Sequence, residues 1–210
     1  MTTFFGLSPI LTADDDRAFI QCYPALVGFF DRNERFSADD FVCAAHMVYA
    51  WMPRILRLHR YERQDFERGA DIVQRARTDG AIDDEDLVWL IGTVDNSLVA
   101  VSKLLHFARP DRFAIWDSRV QRFLLRNSGA MLAGYAPETW RDARDPGTYR
   151  AYLELLTKLV AADEFALLHQ RVAQAIGQEG QCPQPVTPFR AAEFVMYSNG
   201  AEVMKTQEAG

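Results

Sequence analysis

The chain has 210 residues, 49% of them hydrophobic and 25% charged, enough for one sizeable core and far from the composition of a disordered segment. No apolar run approaches the roughly 20 residues that a bilayer span needs, and Met1-Thr2-Thr3-Phe4-Phe5-Gly6, followed by Asp14, Asp15 and Asp16, lacks the basic start of a secretory leader. A net charge of −6 argues against indiscriminate nucleic-acid binding.

Helical periodicity dominates the chain. Phe19, Ile20, Tyr23, Val27 and Phe30 recur at three- and four-residue spacing and predict a helix over Asp14–Phe30, with Pro24 as a point of kinking. Ser37-Ala38-Asp39-Asp40 resembles a capping box and opens the apolar stretch Phe41–Leu58. Gln64–Arg77 is amphipathic and ends at Asp79-Gly80, and Asp83-Asp84-Glu85 places negative charge where the dipole of the next helix, Leu87–Val94, favours it. Asp95-Asn96-Ser97 reads as a cap for Leu98–Ala108, Arg109-Pro110-Asp111 as a turn, and Phe113–Trp116 as an extended step. Asp117 or Ser118 then caps a helix running to about Arg126.

The glycines and prolines of Asn127–Pro146 mark a loop, with a short helix near Trp140. Helices over Tyr149–Ala161 and Glu164–Ile176, a Gly/Gln/Pro-rich linker (Gly177–Pro188) and a last helix, Phe189–Tyr197, complete the pattern. With no sustained period-two alternation, no repeat and no break, the expected fold is an all-α orthogonal bundle or array. It forms a single domain over 1–200, with a polar, frayed tail at 201–210.

Few general chemistries fit the remaining signals. Cys22, Cys43 and Cys182 show no ligand spacing, and the first two sit in apolar helical stretches that predict buried free thiols in a reducing cytoplasm. His46, His59, His106 and His169 make neither HxH nor HExxH, so no metal and no cofactor is expected. No Walker loop, GxGxxG or GxSxG is present, and Ser102 and Ser118 lack a triad context. Arg54, Arg57 and Arg60 resemble a helical basic stripe, but the acids that follow make a solvated face the expected reading.

The most distinctive segment is Leu98–Phe123. Its first helix is apolar nearly all round and carries Lys103 in the middle, although only three of the chain's 23 Lys and Arg residues are lysines. Burial disfavours an ammonium, and a neutral amine is a nucleophile of the kind that makes Schiff bases; snorkelling or a structural carboxylate partner is the plainer alternative. Asp117 is the natural partner. From Lys103 to Ala108 a helix advances about 8 Å, and Arg109–Trp116 spans up to roughly 26 Å when extended, so the chain has the length to double back.

Ser102-Lys103-Leu104-Leu105-His106-Phe107 and Ile115-Trp116-Asp117-Ser118-Arg119-Val120 together resemble the helix-hairpin-helix DNA glycosylase superfamily, closest to a bacterial branch similar to 8-oxoguanine DNA glycosylases. The resemblance implies a DNA glycosylase-like fold, Lys103 as nucleophile toward C1′ of a damaged nucleoside, and Asp117 as the carboxylate that stabilises the developing positive sugar. It also implies strand nicking by β-elimination and DNA as partner. Gly92-Thr93-Val94-Asp95-Asn96-Ser97 departs from the family's Leu-x-Gly-x-Gly turn, with one glycine and an aspartate in its place.

For such an enzyme Trp51, His106 and Trp116 are the candidate pocket for an extruded base. Arg109, Arg112, Arg119 and Arg122, in a stretch with a clear excess of basic residues, are expected to face the DNA backbone. The rival expectation is a non-enzymatic helical module that binds protein or nucleic acid and keeps the fold without the chemistry.

Overall fold

The computed structural model describes residues 3–11, 14–32, 34–50, 56–136, 145–179 and 186–200. Among these residues the chain is all-helical. A 3-10 turn at Phe4–Gly6 precedes α1 (Asp14–Asp31), α2 (Ala38–Ala50), α3 (Arg63–Asp79), α4 (Asp84–Thr93), α5 (Leu98–Ala108), α6 (Ser118–Asn127), α7 (Pro146–Val160), α8 (Phe165–Glu179) and α9 (Pro188–Asn199). The one extended pairing among the described residues is an antiparallel bridge between Leu58 and Val94. None of these helices is long and apolar enough to cross a membrane. The short helix expected near Trp140, Cys182 and the tail at 201–210 lie outside the described residues.

The chain divides into two compact units, one formed by Cys22–Ile115 and the other by Met1–Gln21 with Trp116–Gly210. In the first unit α5 is the centre, packed by α2, α3 and α4. Ten of its eleven residues are buried, Val99 being the exception, because its sequence offers apolar side chains on every face. Each fully buried large side chain, such as Leu104, Leu105 or Phe107, contributes about 1.5–3 kcal/mol.

Local chemistry sets the ends of these helices. Ser37 and Asp40 form the reciprocal capping box that opens α2: the Asp40 amide donates to Ser37 Oγ at 3.2 Å and the Ser37 amide to Asp40 Oδ2 at 2.8 Å. Asp83 caps α4 and Ser97 caps α5, while Gly80, at φ 67°, closes α3 in the left-handed conformation. Between α4 and α5, Asp95 (φ 55°) and Asn96 (φ 49°) take the left-handed values that glycine takes most readily; these two side chains tolerate them better than most.

In the second unit α9 is the centre, packed by α6, α7 and α8. Asp117 caps α6, and Asp145 and Thr187 cap α7 and α9, each with proline at the start of its helix, where the missing N–H costs nothing. A Cβ on Gly200 would lie 2.2 Å from the carbonyl oxygen of Arg119, so glycine is what lets the end of α9 close on α6.

Four expectations need correction. Cys22 and Cys43 are free but exposed, since Phe41, Ala44, Ala45, Val48 and Tyr49 take the inward face of α2 and leave Cys43 outward. The apolar stretch Phe41–Leu58 is not one element: α2 is described as far as Ala50, and Leu58 lies on non-helical chain and pairs with Val94. Arg57 and Arg60 therefore lie on irregular chain and not on a helical stripe. Finally, α8 runs through Gly177 to Glu179, into the expected linker, and α7 starts at Pro146, within the expected loop.

Candidate functional site

Lys103 lies in the middle of α5 and is 8% exposed, in a helix whose other members are almost all apolar. His106, one turn further on, is fully buried. Its Nδ1–H donates to the Phe113 carbonyl at 2.7 Å, so in the neutral ring Nε2 accepts from the Tyr23 hydroxyl at 2.9 Å. The Tyr23 ring packs against His106 and Phe107 at 5.6 and 5.7 Å between centroids. These contacts make His106 a positioned core histidine that ties α1, α5 and the extended step together.

The same unit holds two of the four candidate arginines. Arg109 donates to the carbonyls of Arg77 (2.6 Å) and Thr78 (3.2 Å), and its Nε to Asp111 (2.9 Å). Arg112 reaches the Gly80 carbonyl at 3.3 Å. Both guanidiniums thus meet the carbonyls at the end of α3, where a cation is favoured by the helix dipole. Trp51 lies outside the described residues.

Asp117 belongs to the other unit, so Lys103 and Asp117 fall on different sides of the division at Ile115–Trp116. One carboxylate oxygen of Asp117, Oδ1, accepts from the amides of Arg119 and Val120, both at 2.9 Å. Trp116 is 1% exposed and packs edge-on against Tyr152 at 5.2 Å. Arg119 lays its guanidinium 4.5 Å from the Tyr197 ring centroid, and the Nε of Arg122 is buried without a hydrogen-bond partner among the described residues.

Around Trp116 and Asp117 this unit gathers buried polar groups. Arg190 and Glu193, successive turns of α9, form an ion pair that is buried on both sides. Tyr149 and Tyr152 of α7 are fully buried. Burial pushes the Tyr152 phenol well above its usual range; the negative charge of Glu193, then Tyr149 and Asp117, push the same way, and Arg190 opposes them. The three-residue spacing of Arg190 and Glu193 on most helices marks a solvated pair, and burial on both sides is what sets this one apart.

The hairpin before α5 also gains a definite chemistry. Asp95 accepts a hydrogen bond from the Tyr49 hydroxyl at 2.9 Å and sits 4.0 Å from His59 Nε2, so its carboxylate is held within its own unit. Compared with protein-family models, with curated proteins and with solved structures, the chain matches none.

Proposed function

We propose that this chain is a DNA base-excision glycosylase with lyase activity, acting through Lys103 and Asp117. The observation that carries the reading is the position of Lys103, a primary amine at 8% exposure in the middle of a central helix that is otherwise apolar but for Ser102 and His106. Burial in general costs an ammonium more than a neutral amine, and the neutral amine is the form that attacks carbon. The amine adds to C1′ as the bond from C1′ to the base nitrogen breaks, and the base leaves with the electron pair and takes up a proton. Opening of the sugar ring gives a Schiff base, and loss of a C2′ proton then expels the 3′ phosphate. Asp117, with Oδ1 committed to the α6 amides, offers Oδ2 for the positive charge that develops on the sugar.

A second reading, a helical binding module without chemistry, is favoured by the way Arg109 and Arg112 are taken up by the carbonyls at the end of α3. One experiment separates the two. Incubation with duplexes carrying modified bases or an abasic site, in the presence of borohydride, yields a covalent protein–DNA adduct on the enzyme reading. Lys103→Gln abolishes it with an unchanged far-UV circular dichroism spectrum. An adduct that forms equally with Lys103→Gln, or no adduct on any of these substrates, leaves the binding module.

A further inference from the structure

We infer that Arg57, Arg60 and Tyr61 form a binding strip for single-stranded nucleic acid. The strip lies wholly within the unit Cys22–Ile115 and does not depend on the reactivity of Lys103.

The backbone there is fixed. The Leu58–Val94 bridge is closed by the His59 amide donating to the Thr93 carbonyl and the Asp95 amide to the Arg57 carbonyl, each at 3.0 Å. What this rigid mount presents is unusual for the molecule. Tyr61 is 73% exposed, the most exposed of the large hydrophobic side chains described. Nearby arginines are committed to acids: Arg63 to Asp39 and Glu67, and Arg68 to Glu85. Arg57 and Arg60, both exposed, have no ion-pair partner among the described residues. Arg60 is nevertheless held in place, its guanidinium 5.4 Å from the Trp89 ring centroid, with that of Arg68 at 4.9 Å. A stacked guanidinium keeps its donors for a phosphate and loses less freedom on binding one.

Asp95, Glu62 and Asp65 are the acids beside this segment. Asp95 is engaged by the Tyr49 hydroxyl and faces His59, while Glu62 stands at the N-terminus of α3, whose dipole adds positive potential. The segment bends at His59, so Arg57 and Tyr61 lie no more than about 13 Å apart along the backbone, and a strand with its phosphates on the two arginines has a base within reach of the exposed ring. Base–aromatic stacking requires an unpaired base, since a duplex keeps its base faces covered. The combination therefore selects single strands over duplex.

The test is fluorescence anisotropy of a labelled oligo(dT) strand at low salt, against a duplex of equal length and against heparin as competitor. The wild-type chain binds the single strand more tightly than the duplex. Tyr61→Ala weakens it about 5- to 100-fold, within the range that loss of one stacked base produces, and Tyr61→Phe restores it. Replacing Arg57 and Arg60 together by Ala lowers the slope of log affinity against log salt by about 1.4. Tyr61 is so exposed that its replacement leaves thermal unfolding unchanged, which keeps the result readable even if loss of Arg60 disturbs Trp89. Intact oligo(dT) binding without a borohydride adduct sinks only the glycosylase reading, and an adduct without oligo(dT) binding sinks only this one, so the two failures are separate outcomes. Absence of oligo(dT) binding by the wild type overturns the proposal. So does a Tyr61→Ala variant that binds as well as wild type and is displaced equally by heparin, which is the behaviour of a non-specific anion surface.

Discussion

Asp117 does two jobs in this account, and they are separable. As a cap it accepts two backbone amides at the start of α6; as a reacting group it would meet a positive sugar. Asparagine caps a helix about as well as aspartate but carries no charge. Asp117→Asn therefore retains the wild-type melting temperature and loses about 100-fold or more in base-excision rate, the lower range for a group engaged in proton transfer. Asp117→Ala loses about 1 kcal/mol of stability as well. Equal rates for Asp117→Asn and wild type would reduce the residue to its capping role.

Tyr152 gives a second reading at this scale. Its phenol is raised by burial, then by Glu193, so the folded chain holds the proton more tightly than the unfolded one. The associated stability is fully present below the unfolded value of about 10 and is lost as pH rises through the range above it, at up to about 1.4 kcal/mol per pH unit. In urea titrations Tyr152→Phe is the less stable protein at pH 7, and its deficit shrinks above pH 10. A deficit that is the same at both pH values contradicts a phenol that must stay neutral.

Among the helices, glycine separates packing from propensity. A Cβ on Gly69 of α3 would lie 2.6–2.8 Å from ring carbons of Phe41, which is fully buried in α2 and has no room to turn. Gly92 of α4 has nothing within 4 Å of the same position. Gly92→Ala thus gains most of the roughly 1 kcal/mol of helix propensity. Gly69→Ala loses about 1–3 kcal/mol to overpacking, partly offset by the same propensity. Calorimetric melting of the two variants should move in opposite directions.

Helix α5 was legible down to its ends, because Ser97 is a capping residue and every turn between Leu98 and Ala108 is apolar. The extended step and the Asp117 cap were legible for the same local reasons. What sequence did not reveal depends on neighbours far along the chain. Arg109 looks like a surface cation until the carbonyls of Arg77 and Thr78, some thirty positions earlier, are brought to it. Glu193 follows Arg190 at a spacing that suits a solvated face, and only the packing of α6, α7 and α8 around α9 buries both. Leu58 continues an apolar run by composition, yet its partner, Val94, belongs to the turn after α4. The candidate pair itself was legible as two residues of suitable chemistry, one on each side of Ile115–Trp116.

At the scale of the whole molecule, the net charge of −6 means that the proposed DNA binding would depend on local positive groups acting against an unfavourable overall field. Each unit is organised around one largely buried helix, and each of those helices carries buried ionisable side chains: Lys103 in α5, Arg190 and Glu193 in α9. Burying an ionisable group has a cost that well-packed apolar residues avoid, so such groups at the centre of both units are where chemistry is to be sought. Proteolysis of the borohydride-trapped adduct, with mass spectrometry of the cross-linked peptide, addresses this most directly. The reduced sugar adduct is expected on the side-chain nitrogen of Lys103. An adduct on Lys158, on Lys205 or on the N-terminal amine would contradict it.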